Sequence, residues 1–180
     1  MNEYDEEYWR NRPFEEKYYW MSLDSIDFFE PTNMIDVGCG KGYFVHAFEY
    51  YGVDSIGYDI SVEAIKNPYE LSKGKLYHSD QLLRDKKTAD LVVCFDVFEH
   101  ISIEEMDSFT EQVLSKGTKN FLFSICFAGD SDFYEDPTHK TKRTREWWVN
   151  YFKEKGLIYI ETPLDFLQNQ QILLFKRGEK

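Results

Sequence analysis

The 180-residue chain predicts an α/β fold: a seven-stranded, mostly parallel sheet with an antiparallel C-terminal hairpin, helices on both faces and a helical extension before the first strand. Three observations predict it. Beyond Pro31, short apolar runs alternate with helical stretches, the pattern of strands joined by crossover helices. Ala89–Phe95 (ADLVVCF) is strongly apolar, as a strand buried on both faces is. The last two strand-like runs follow each other with no helix between them, so they pair antiparallel.

Within residues 1–30, Tyr8, Trp9, Tyr19, Trp20, Leu23, Ile26 and Phe28 are compatible with one or two helices. Pro31 ends them, because the residue before proline is pushed out of the helical region. Met34–Val37 is the first strand, Tyr43–Tyr51 a helix stopped at Gly52, and Val53–Ile60 the second strand. Ser61 stands where it can cap the next helix. Lys75–His78 is a short third strand and Ala89–Phe95 the fourth. Ser102 opens a helix through Lys116, with Glu105 completing a capping box. Lys119–Phe127 is the fifth strand. After a polar loop from Gly129 to Arg143, Thr144 caps a helix through Lys155 that Gly156 closes. Leu157–Glu161 and Gln170–Lys176 finish the sheet, separated by a loop containing Pro163. Residues 1–180 read as one domain, with 1–30 as the extension and 31–180 as the core.

Composition excludes several roles. With 33 acidic and 21 Lys/Arg side chains the net charge is −12, which argues against sequence-blind binding to duplex nucleic acid. No apolar run reaches the ~18 residues of a membrane helix, and the acidic N-terminus lacks the apolar stretch of a secretory signal. Cys39, Cys94 and Cys126 form no C-x-x-C pair, so neither a disulfide framework nor a cysteine-built zinc site is expected, and no metal is assigned. That usage fits a cytoplasmic protein.

The informative stretch is Asp36-Val37-Gly38-Cys39-Gly40-Lys41-Gly42-Tyr43-Phe44. Glycines at a strand-to-helix turn let the backbone approach a ligand and aim helix N–H groups into the crevice. The spacing is G-x-G-x-G; a phosphate-binding G-x-x-x-x-G-K-[ST] is absent, and Tyr43 stands where G-x-G-x-x-G needs its third glycine. Asp59, ending the second strand, can accept both hydroxyls of a ribose or serve as a turn or capping residue. Asp80 can accept from an adenine amino group or occupy a surface turn. Phe95-Asp96-Val97-Phe98-Glu99-His100 follows the fourth strand. All of these fall at the carboxyl ends of the strands, where open α/β sheets bind ligands.

In order, D-V-G-C-G-K-G-Y-F, G-Y-D-I-S, H-S-D and D-L-V-V-C-F-D-V-F-E-H-I resemble consecutive motifs of class I S-adenosylmethionine (SAM)-dependent methyltransferases. The resemblance implies a Rossmann-like core, SAM as cofactor, and a helical lid ahead of the first strand. It implies that Gly38, Cys39, Gly40 and Gly42 line the methionine and ribose part of SAM, with Asp36 heading the same motif. Asp59 would hold the ribose, Ile60 would lie against the adenine, Asp80 would contact its amino group, and Phe95 with Asp96 would flank the methionine end.

Some acceptors are set aside. The [DN]-P-P-[YF] string of amino-methylating DNA enzymes is replaced by Asp96-Val97-Phe98-Glu99, and no Pro-Cys dipeptide of cytosine-C5 enzymes occurs. D-P-T-H at 136–139, followed by R-E-W-W at 145–148, resembles a segment of small-metabolite and sugar methyltransferases, whose loop lies over the acceptor pocket. The expected reaction is methyl transfer to oxygen or nitrogen of a small metabolite, anionic or glycosylated. The expected partner is that small molecule, with no membrane, and a homodimer left open. Two alternatives stand: a SAM-binding regulatory module without chemistry, and an RNA or protein methyltransferase. His139 is the leading candidate general base, since imidazole titrates near neutral pH, or else it fixes the loop. His100 is the second candidate, or it anchors the following helix. Lys140, Lys142, Arg143 and Arg145 either attract an anionic acceptor or face water. The N-terminal aromatics pack the helices onto the sheet, close as a lid, or both.

Overall fold

A computed structural model describes residues 4–129, 136–161 and 171–178. Seven strands form one sheet in the order β3-β2-β1-β4-β5-β7-β6. They are β1 (Asn33–Val37), β2 (Asp54–Asp59), β3 (Leu76–His78), β4 (Ala89–Phe95), β5 (Gly117–Ser124), β6 (Leu157–Ile160) and β7 (Ile172–Arg177). The first five pair in parallel, while β7 runs antiparallel to both β5 and β6. The strand order reverses between β1 and β4, so their carboxyl ends open a crevice at the switch point.

Strand alternation divides the core in two. Ile35, Val37, Val92, Cys94, Phe121 and Phe123 face one side of the sheet, against α5 (Ile103–Lys116) and α6 (Arg145–Glu154). Met34, Leu91, Val93 and Leu122 face the other, against α2 (Lys17–Phe29) and α3 (Tyr43–Tyr50). The β4 run is therefore apolar on both faces because both are covered. Two short helices complete the set, α1 (Glu6–Arg10) and α4 (Val62–Lys66). Asp5 caps α1, Ser61 caps α4 and Thr144 caps α6, each accepting from a backbone N–H three residues on.

Three expectations need correction. Ser102 is the N-cap of α5, but its hydroxyl donates to Glu105 Oε2 at 2.7 Å and caps no N–H, so the reciprocal box is not formed. The fifth strand begins at Gly117, where α5 passes directly into the sheet, and not at Lys119. It ends at Ser124 and not at Phe127, because the Cys126 N–H leaves the ladder and donates to Glu99 Oε1 at 2.9 Å. Asp130, Asp132, Glu135, the Pro163 loop and Gln170 lie outside the described residues. Among the described residues no helix is long and apolar enough to cross a membrane.

Candidate functional site

The crevice floor is the turn after β1. Gly38 takes φ +85°, and a Cβ there would lie 2.2 Å from Val97 Cγ2 in the turn after β4. Gly40 takes φ +54°, and its Cβ would meet the Trp9 ring at 2.5 Å. Both positions require glycine on conformation and on space. Gly38 and Cys39 donate their N–H groups to Tyr58 O, which ties the turn to β2.

Asp59 closes that side. Its Oδ2 accepts from Gly40 N and its Oδ1 from Ser61 N, both at 2.7 Å, and the residue is 8% exposed. Burial raises the Asp59 pKa, against the hydrogen bonds from Ser61 and Gly40 that favour the anion. Asp36, buried within β1, is held well above the carboxylate range by desolvation and then by the charge of Asp59. The Cys39 thiol is pushed up by burial and the same two carboxylates. Ile60 is 64% exposed at the rim. Asp80 is exposed in the turn after β3, with Oδ2 3.3 Å from His78 Nδ1.

Across the crevice, Phe95 packs edge-on against Phe44, with centroids 4.7 Å apart. Asp96 is exposed and left-handed at φ +55°, with Oδ1 accepting from Ser124 Oγ at 2.7 Å. A non-glycine residue in that region is strained unless its surroundings hold it there. Here its N–H donates to Ser124 O at 2.9 Å as well.

The N-terminal segment covers the loop. Trp9 Nε1 donates to Ser61 Oγ at 2.9 Å, and that hydroxyl donates in turn to Tyr4 O at 3.0 Å. The Arg12 guanidinium lies 3.7 Å over the Tyr8 ring. The Tyr8 phenol is raised by burial, with Arg12 opposing and the charges of Asp136, Asp59 and Asp96 adding. Tyr8 thus feels carboxylates from both walls. Tyr19 Oη bonds His46 Nε2 at 2.8 Å, fastening α2 to α3.

His100 and His139, 39 positions apart, are brought together with ring centroids 4.8 Å apart. The link is backbone: Lys140 N and Thr141 N both donate to Glu99 O, at 2.8 and 3.0 Å. Thr138 Oγ1 lies 2.8 Å from His100 Nδ1 and donates to Asp136 Oδ1 at 2.5 Å. The His139 side chain is 8% exposed. His100 is lowered by burial and then by the neighbouring His139. The basic residues disperse: Arg143 lies over Trp147, and Arg145 donates to Tyr159 Oη on β6 at 2.7 Å.

Sequence reasoning missed Glu99. It is 1% exposed, with Oε1 taken by Cys126 N, and desolvation followed by the charge of Asp96 raises its pKa to about 8. Its one sequence signal is its place between Phe98 and His100 just after a buried strand.

The methyltransferase-domain family model matches residues 8–177. A ubiquinone biosynthesis O-methyltransferase from Colwellia psychrerythraea is 26% identical over 87 residues, 44% of this chain and 35% of that protein, so the match spans about a third of this curated relative's length. A SAM-bound amino pentose methyltransferase from Micromonospora echinaspora superposes with a TM-score of 0.72 at 16% identity, covering 96% of each chain. A magnesium protoporphyrin IX methyltransferase from Synechocystis PCC 6803 with bound SAH superposes at 0.67 and 17% identity, covering 90% of this chain and 84% of that one.

Proposed function

The chain belongs to the methyltransferase-domain family, and from that premise we propose that it is a SAM-dependent methyltransferase acting at oxygen or nitrogen of a small, anionic or glycosylated metabolite. The observation that carries the reading is the glycine turn at the switch point, open to Asp59 on one wall and Asp96 on the other. The fit to the cofactor rests on this chain's own geometry. The left-handed backbone of Gly38 and Gly40 at the crevice floor and the buried carboxylate of Asp59 beside it suit a nucleoside with a short charged tail. SAM, when bound, supplies a methyl group activated on a sulfonium.

Gly38, Cys39, Gly40 and Gly42, with Asp36 behind them, line the methionine and ribose part. Asp59 accepts from the ribose, Ile60 offers an apolar rim to the adenine, Asp80 accepts from its amino group, and Phe95 and Asp96 border the methionine end. Residues 1–30 act as the lid over the 31–180 core, with Trp9 seated on Gly40. A lid of this kind excludes water and orients the acceptor, and positioning carries much of the acceleration of an in-line displacement. His139 is the first candidate to take the acceptor's proton and His100 the second. We read the buried Cys39, Cys94 and Cys126 as in keeping with a reducing, cytoplasmic setting.

Calorimetry with SAM and its demethylated product, followed by turnover against hydroxylated and aminated metabolites, tests the reading. His139→Ala should abolish turnover while leaving SAM affinity unchanged. Absence of SAM binding by the wild type would sink it.

A further inference from the structure

Glu99, His100 and His139 each present one ligand-type atom, and these atoms lie within 4.8 Å of one another. Glu99 Oε2 is buried with no hydrogen-bond partner among the described residues, while the sister oxygen is held by Cys126 N–H. A desolvated carboxylate oxygen without a donor is costly unless a proton or a cation meets it, and two imidazoles beside it supply the rest of a cation's ligand set. We propose that these three side chains bind a divalent transition-metal ion of the Mn²⁺ to Zn²⁺ series, and that its open positions take an oxygen of the acceptor.

Two imidazoles and one carboxylate favour such borderline ions over Mg²⁺ or Ca²⁺, which prefer oxygen throughout. Bonds of ~2.0–2.2 Å set tetrahedral ligand atoms about 3.3–3.6 Å apart, so the widest pair closes by up to about an ångström when the ion binds. Orientation is already arranged. Thr138 directs its single hydroxyl proton to Asp136 Oδ1, so its oxygen accepts from His100 Nδ1–H. That contact orients the His100 ring, the outer-sphere support that metal-bound histidines ordinarily have. Three protein ligands leave positions open, as in catalytic and not structural sites.

The inference rests on the methyl-transfer reading and narrows it to an oxygen acceptor. A cation acidifies a hydroxyl that it contacts. The O–H bond then breaks heterolytically, the oxygen keeps the electron pair, and the proton leaves to water. With the ion bound, His100 and His139 serve as ligands and not as bases.

The test is a titration of the chelator-treated full chain with Co²⁺, followed by its visible absorption, and with Mn²⁺, followed by electron paramagnetic resonance, both without SAM. One equivalent should bind. Glu99→Gln, which keeps an acceptor for Cys126 N–H, and His139→Ala should each weaken Co²⁺ by more than about 100-fold. Thr138→Val should weaken it by about 10–100-fold, the usual loss for an outer-sphere partner. No saturable uptake by the wild type, or uptake unchanged in Glu99→Gln and His139→Ala, overturns the proposal. SAM calorimetry on the same samples separates the two readings. SAM binding without Co²⁺ binding sinks the metal site alone, whereas Co²⁺ binding without SAM binding sinks the methyl-transfer reading and leaves the site standing.

Discussion

Asp59 holds Gly40 through one oxygen and Ser61 through the other, so a single carboxylate sets the spacing of the turns after β1 and β2. Asp59→Asn is therefore expected to act twice. Its NH₂ must face one of the two N–H donors, at about 1–3 kcal/mol of folding free energy, and the lost ribose acceptor weakens SAM by a similar amount. Urea denaturation and SAM calorimetry on the same variant check both parts; an unchanged midpoint contradicts the first, an unchanged affinity the second. Asp59 was legible because it ends a strand after a glycine turn. Glu99 was not, since one acid among 33 carries no local mark. Its distinction is desolvation, and its hydrogen-bonded neighbours, Cys126 and the 140–141 amides, come from segments distant in sequence. The left-handed Asp96 was equally hidden, because no neighbour in sequence demands positive φ there.

At the level of elements, α1 spans five residues, too few to be helical in isolation. It persists through the Asp5 cap and the seat of Trp9 on Gly40 and Ser61. Trp9→Ala should speed SAM release about fivefold, the equivalent of one hydrogen bond at ~1 kcal/mol. The unfolding midpoint should barely move, since α1 buries no residue completely. Stopped-flow displacement reads the rate, and a large drop in midpoint with unchanged release would make the contact structural only. Among the parallel strands β4 was the most readable, because ADLVVCF is an apolar run bounded by turn residues. The end of β5 was not, because Ile125–Phe127 continues the same apolar pattern. What stops the strand is a carboxylate 27 positions away that captures Cys126 N–H.

Across the whole molecule, charge and burial pull stability in opposite directions with pH. Asp36 and Asp59 carry folded pKa values raised above the unfolded value of ~3.9. The folded chain therefore keeps protons that the unfolded chain has lost, and this pair lowers stability as pH rises from about 4 through the raised values. Asp85, held down by the Tyr58 hydroxyl, and Asp90, held down by Thr32, act the other way. Their contribution is present above pH ~4 and is lost as pH falls through their depressed values. SAM-free protein should accordingly lose stability as pH rises above about 4 through the buried pair, and Asp36→Asn should flatten that slope. Chemical denaturation across the range measures it; a flat wild-type profile contradicts the prediction. The sequence by itself determined the succession of strands and helices along the chain, the glycine turn after the first strand and the acids at the strand ends, because backbone preference and burial on both faces are properties of neighbouring residues. Only the tertiary structure decided that Trp9 seats on Gly40 and that Glu99, His100 and His139 converge. Those contacts hang on hydrogen bonds between distant segments, Trp9 Nε1 to Ser61 and the 140–141 amides to Glu99 O, which no local periodicity encodes.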